Sequence, residues 1–242
     1  MASSAAHMTP QERTSSFSLA SIFALRMFGL FIILPVFAVY ARELPGGDSE
    51  TLVGITLGIY GLTQGLLQIP FGVASDRLGR KPVIIFGLII FALGSFLAAS
   101  GANIWIVMLG RMLQGAGAIS AAVTAFIADS VRVQVLTKAM AMVGASIGLT
   151  FALSLLISPP LTKLWGVSGL FTLTGISALI AVLVVKFVVP PAPQSAIDEK
   201  NEHRSWRKVV CDPQLVRLNI GIFVLHAVLT LSLIHISEPT RH

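Results

Sequence analysis

The sequence predicts an all-α protein that crosses a membrane six times. Three observations carry that reading. Of 242 residues, 55% are hydrophobic and only 12% charged, against about 25% charged in an average soluble domain. The mean hydropathy is +0.84. The apolar residues fall into long runs whose interiors hold no Asp or Glu, and a membrane helix needs roughly 20 such residues. The net charge is +6 and the pI near 10.0, which in a soluble protein would suggest nucleic acid. Here the basic residues sit in short loops between apolar runs, so topology accounts for them and no nucleic-acid partner is expected. Cys211 is the one cysteine, so there is neither a disulfide framework nor a zinc ligand set. No metal and no cofactor are expected.

The N-terminus, MASSAAHMTPQERT, is polar and lacks a signal-peptide core. Residues 1–16 therefore read as a terminus outside the bilayer. Spans follow at 17–41, 51–74, 83–100, 104–128, 138–160 and 168–189, and together residues 17–189 form a six-helix unit. Pro35 and Pro70 are expected to bend their helices. PPAP, Pro190 to Pro193, stops the sixth span. The charged stretch IDEKNEHRSWRKVV makes residues 190–213 a linker, and residues 214–231 start a seventh span. Residues 232–242, SLIHISEPTRH, read as a non-native tail joined to a truncated gene.

Orientation follows from flanking Lys and Arg. Arg13, Arg77, Arg80, Lys81, Arg132, Lys138, Lys186, Lys200, Arg204, Arg207, Lys208 and Arg217 lie on one side. Only Arg42 and Lys163 lie on the other. The bias puts the N-terminus and the loop after the second span in the cytoplasm, and the loop holding Glu43, Asp48 and Glu50 outside.

The loop after the second span reads GVASDRLGRKP, residues 72–82, with Asp76, Arg77, Arg80 and Lys81 within six positions. Each such charge costs about 2.5–3.5 kcal/mol at a helix centre, so all four belong at the membrane edge. Gly72 is expected to let a neighbouring helix approach, and Gly79 to permit a left-handed turn. Pro82 suits the first turn of the third span.

Two charges remain inside the spans. Arg26 lies on the order of 13 Å from the start of its apolar run, and Arg111 on the order of 10 Å from the start of its own. Embedded ionisable groups face a cavity or a partner, or snorkel to an interface. Both sit in similar surroundings, ALRMFG and LGRMLQG, as an inverted repeat of three plus three helices would place them. In the second span, Gly54, Gly58, Gly61 and Gly65 form a stripe expected to pack a neighbouring helix. Gly144 and Gly148 are assigned the same role. Tyr60, Gln64 and Gln68 recur every fourth residue on the adjoining face, to line a cavity or to bond between helices.

These motifs resemble those of the major facilitator superfamily. GVASDRLGRKPVI matches its signature G-x-x-x-D-R-x-G-R-[RK] through Gly72, Asp76, Arg77, Gly79, Arg80 and Lys81. LGRMLQGAGAISAA is similar to its R-x-x-Q-G-x-G pattern through Arg111, Gln114, Gly115 and Gly117. The resemblance covers roughly residues 8–231 and implies the N-terminal six-helix half of a twelve-helix fold. It implies a secondary transporter of the bacterial inner membrane, working by alternating access with efflux or antiport coupled to protons. It also implies that Asp129 pairs with Arg80, that Asp76 faces a helix of the second half, and that these residues form a conformational latch. Arg111 and Gln114, with Arg26, Tyr60, Gln64 and Gln68, would serve proton coupling or the cavity. The implied partners are the lipid bilayer, a small-molecule substrate, protons and the second six-helix half. One departure stands out: Ser158-Pro159-Pro160 occupies the place where drug–proton antiporters carry Gly-Pro.

Two other classes compete. GASIG, Gly144 to Gly148, matches G-x-S-x-G, and with His226 it would suit an intramembrane serine protease resembling rhomboids. That motif requires a strand-to-helix turn, whereas this stretch reads as helix. The other alternative is an inactive half-transporter. No G-x-x-x-x-G-K-[ST] loop occurs, which argues against ATP-driven transport within this chain.

Overall fold

Thr9 opens the first helix. Its hydroxyl accepts from the Glu12 N–H at 3.2 Å, and the Glu12 carboxylate accepts from the Thr9 N–H at 2.8 Å. This reciprocal cap is what a T-x-x-E sequence provides. Pro10 takes the first helical position, where a missing N–H costs nothing. The computed structural model describes residues 7–190, 213–218, 220, 221, 224 and 228, and the chain divides into two units, Met1–Gln194 and Ser195–His242. The first contains α1 (Pro10–Phe31), α2 (Leu34–Glu43), α3 (Glu50–Leu78), α4 (Arg80–Ala99), α5 (Ile104–Ala116), α6 (Ser120–Ser130) and α7 (Val133–Phe187). The described residues of the second unit are helical. Most of the expected linker, much of the seventh span and the tail at 232–242 lie outside the described residues, as does His226. No strand occurs among those described.

The six spans are present, but two are broken and two are joined. The first span breaks between α1 and α2. Pro35 cannot donate to the carbonyl four residues back and crowds it, and that carbonyl belongs to Phe31, the last residue of α1. The fourth span breaks over residues 117–119, between α5 and α6. Pro70, by contrast, sits within a continuous α3. Pro159 and Pro160 do not end the fifth span as expected, since helix continues to Gly166. There the backbone takes φ 66° and ψ 177°, a conformation only glycine adopts readily.

The chain reverses at Gly166. Ser158 Oγ donates to the Ile32 carbonyl before it, and Thr174 Oγ1 to the Gly29 carbonyl after it. The second leg then runs antiparallel to α4: Ser168 Oγ donates to Ala99 at one end and Lys81 Nζ to the Val189 carbonyl at the other. Short polar side chains thus staple helices through carbonyls, as they do where lipid supplies no hydrophobic driving force.

The core forms three layers along the helix axes. Leu19, Ile84, Leu88, Phe126 and Val185 pack near the end that carries the basic loop. Ile32, Phe37, Ile104, Leu170 and Phe171 pack at the opposite end. Between them lie Tyr60, Phe91, Ala92 and Ala178.

The glycines divide in a way the sequence reading did not foresee. Gly54, Gly58, Gly61, Gly65, Gly144 and Gly148 have no atom within 4 Å of where a Cβ would stand. All six are exposed, so among the described residues they pack no helix. The close approaches fall elsewhere. A Cβ on Gly110 would stand 2.6 Å from the Ala98 nitrogen, on Gly115 2.3 Å from the Tyr60 carbonyl oxygen, and on Gly117 2.4 Å from that of Gly87. These glycines seat α5 against α3 and α4.

Candidate functional site: a charged loop and two buried arginines

Gly79 separates α3 from α4. Its φ of 93° turns the chain so tightly that Arg80 begins the next helix at once. Arg80 is nearly buried and has three partners. Its Nε donates to Asp129 Oδ2 at 2.9 Å, and its Nη1 lies 2.6 Å from Asp76 Oδ1 and 2.7 Å from Ser75 Oγ. Ser75 donates in turn to the Gly72 carbonyl. One guanidinium therefore ties the end of α3, the start of α4 and the end of α6. Asp76 remains largely exposed, so most of its capacity to accept hydrogen bonds faces outward. Arg77 is exposed and makes no bond to a described residue. Lys81 is bonded to the end of α7.

Gly72 does not play the part expected of it. Its nearest neighbour, the Ala121 Cβ, would lie 3.7 Å from an added Cβ, an ordinary contact. Gly79→Ala is expected to cost about 2 kcal/mol through backbone strain alone, or about 4–8 °C in melting temperature. Gly72→Ala should change it by less than about 2 °C. Scanning fluorimetry of the purified chain in detergent checks both.

Arg26 and Arg111 occupy the middle layer and are each 1% exposed. Arg26 lies six residues before Ile32, and Arg111 six before Gly117. Each arginine thus precedes the break in its own span by the same offset, in spans that run in opposite directions. Interrupted helices in corresponding positions of inverted repeats point to a transport site.

The two differ in what holds them. Arg111 Nη1 donates to Gln114 Oε1 at 3.0 Å, Gln114 Nε2 donates to Ser95 Oγ at 2.8 Å, and Ser95 donates to the Phe91 carbonyl. That chain ends on backbone. The guanidinium also lies over the Tyr60 ring, 4.8 Å from its centroid, a cation–π geometry. Arg26 Nη1 donates to Ser120 Oγ at 2.9 Å and its Nη2 to Gln64 Oε1 at 3.1 Å, with the Phe91 ring 5.7 Å away. The Nε atoms of both arginines and the Tyr60 hydroxyl have no partner among the described residues. Gln68 makes no bond to a described residue, so the polar stripe divides: Tyr60 is buried under Arg111, Gln64 is bonded, and Gln68 is half-exposed.

The sequence reading missed Ser75, Ser95 and Ser120; for Ser95 and Ser120 the signal was a hydroxyl inside an otherwise apolar run. It also missed the clamp at the chain start. Arg132 donates to Glu12 through its backbone N–H at 3.0 Å, Nε at 2.8 Å and Nη2 at 3.1 Å. The side-chain hydrogen bonds to Glu12, and then that carboxylate's charge, raise the pKa of the Arg132 guanidinium. Thr9-x-x-Glu12 was the available signal. Ser146 is no nucleophile elbow. It lies within helix, with Oγ 2.7 Å from the Val143 carbonyl oxygen and 3.3 Å from that of Ala20.

A family model described as Major Facilitator Superfamily matches residues 19–237. The inner membrane transport protein YajR of Escherichia coli (strain K12) is 46% identical over 224 residues, covering 92% of this chain and 49% of that protein. The quinolone resistance protein NorA of Staphylococcus aureus (strain MRSA252) is 27% identical over 212 residues, covering 86% of this chain and 52% of that protein. The chain thus spans about half the length of the curated relatives it matches. Among solved structures, the human organic anion transporter MFSD10 aligns with a TM-score of 0.65 at 19% identity, covering 76% of this chain and 49% of that one. That likeness shows the fold: half of a major facilitator architecture.

Proposed function

Because the chain belongs to the Major Facilitator Superfamily, a family of membrane transporters and not of enzymes, we propose that it serves a proton-coupled secondary transporter that expels a small molecule by alternating access. The proposed setting is the bacterial inner membrane, with the N-terminus cytoplasmic, in keeping with the inner-membrane relative and the Lys and Arg bias. The proposed partner is a second six-helix half, seated on the exposed glycine-bearing faces of α3 and α7. Outward movement draws support from the relative named for quinolone resistance.

The observation that carries the mechanism is Arg80, held at 2.9 Å by Asp129 and 2.6 Å by Asp76. Arg80 fixes α3, α4 and α6 as one body at the basic end. Asp76 stays exposed, free to meet the positive N-terminus of a helix in the second half. Closure of that contact holds the cytoplasmic side shut, and its release opens it, so one carboxylate biases a two-state equilibrium. Arg111, in its bonded chain through Gln114 and Ser95, is the proposed element of proton coupling.

Everted vesicles test this. The chain is co-expressed with the second half of the Escherichia coli relative, and a pH gradient is followed by acridine orange. Addition of norfloxacin should dissipate the gradient. Asp76→Asn should slow dissipation at least fivefold at equal membrane abundance. An undiminished rate would remove the latch, and no response from the parent protein would remove antiport of this compound.

A further inference from the structure

We propose that Arg26, Gln64 and Ser120 form a binding site for a small organic carboxylate at mid-depth in the six-helix unit; as the substrate class of the transporter, this rests on the transport reading above.

A guanidinium stays protonated in proteins, and an isolated charge in the membrane interior is held there by a partner or a ligand. The ion pairs of Arg42 with Glu50, Arg80 with Asp76 and Asp129, and Arg132 with Glu12 lie at helix ends. Among the described residues Arg26 meets a neutral amide, a neutral hydroxyl and the Phe91 ring, and its buried Nε has no partner. Among the described residues no negative charge meets its positive one.

A guanidinium only donates hydrogen bonds. The Gln64 atom facing Arg26 must then be the oxygen, so its NH2 group points elsewhere. Likewise Arg26 occupies a lone pair of Ser120 Oγ and leaves the hydroxyl proton free to point away. Gln64 and Ser120 are both half-buried, and the Gln64 NH2 makes no hydrogen bond to a described residue. The buried arginine thus turns both into donors at the surface of the unit, with a positive charge behind them. Gln114 shows the contrast: it is fully buried, bonded at both ends, and presents nothing.

The break in the fourth span adds a helix N-terminus. Ser120 is the first residue of α6, whose N-terminus has no side-chain cap. Uncapped N–H groups and the helix dipole favour an anion there. Amide donors, a hydroxyl donor, a helix N-terminus and one uncompensated positive charge suit a monoanion with two acceptor oxygens, which is a carboxylate.

The test reads binding, not transport. Radiolabelled benzoate is titrated against the purified 242-residue chain in neutral detergent, with uncharged benzamide and cationic benzamidine as competitors. Benzoate should bind, and neither competitor should displace it. Gln64→Glu places a carboxylate against Arg26 from within. It should weaken benzoate binding at least tenfold without lowering the melting temperature, which keeps the test decisive even where Arg26→Met fails to fold. Benzoate binding no tighter than benzamide, or binding to Gln64→Glu within twofold of the parent chain, overturns the site. A chain that dissipates the vesicle gradient yet ignores benzoate would refute this site alone. A chain that binds benzoate yet dissipates nothing with norfloxacin would refute antiport of that compound and leave this site standing.

Discussion

Asp129→Ala is expected to lower the melting temperature of the purified chain by about 6–12 °C, a loss of about 3 kcal/mol. Arg80 and Asp129 are each 10% exposed at the side chain and meet at 2.9 Å. Removing one partner of a pair so buried leaves the other as an uncompensated charge, which costs about 3–5 kcal/mol in general. The lower end applies because Arg80 keeps Asp76 and Ser75. Asp129 interacts with more than Arg80, so the single variant alone does not isolate the pair. A double-mutant cycle does: Asp129→Ala with Arg80→Leu should show a coupling of about 2 kcal/mol, within the range for residues in contact. A coupling below about 0.5 kcal/mol would class the pair with solvated surface ion pairs. In that event Arg80 could not hold α3, α4 and α6 as a unit, and the proposed latch would lack its fixed side.

The six spans were legible because the bilayer demands length and apolarity, and both are properties of composition in a window. The basic loop was legible for the related reason that charge is excluded from that window. Which face of each helix packs was not. In a soluble helix the apolar stripe marks the buried side. In a membrane, lipid and core are equally apolar, so the stripe disappears. The Gly54 to Gly65 row looked like a packing face only because small residues often are one. Gly115 and Gly117 carried the same composition and do pack. The break after Phe31 could have been read from Pro35, four residues on. The break at residues 117–119 could not be read from proline, since the fourth span has none. Contacts such as Ser120 with Arg26, 94 residues apart in sequence, follow from tertiary packing that no local pattern records.

Both buried arginines nevertheless depend on a feature that sequence does show, the glycines beneath them. Gly115 places the start of the break against Tyr60, and Tyr60 is the ring over which Arg111 lies. Gly117 brings the chain against Gly87 and the Phe91 Cβ, and Phe91 is the ring beside Arg26. Close packing of α5 on α3 and α4 therefore sets the positions of the charged groups as well as the stability of the fold.

Gly115→Ala and Gly58→Ala should consequently shift stability in opposite directions. A Cβ at residue 115 would stand 2.3 Å from the Tyr60 carbonyl oxygen and 3.1 Å from the Thr63 Cβ. A backbone carbonyl cannot swing aside as a side-chain tip can, so α5 must move from α3. Overpacking of this kind costs about 1–3 kcal/mol, and the upper end is expected here, or about 6–12 °C in melting temperature. Gly58 lies on the same α3 with nothing within 4 Å. Alanine there removes only the entropic cost of a helical glycine and should gain about 0.5–1 kcal/mol. Scanning fluorimetry of the isolated chain measures both. If Gly58→Ala destabilised as much as Gly115→Ala, the stripe would be a packing face within the unit after all, and its exposed surface would no longer be open to a second half. The vesicle assay with that half present gives the complementary test. There Gly58→Ala should impair norfloxacin-driven dissipation while leaving the isolated chain stable, because an added methyl would obstruct only the partner.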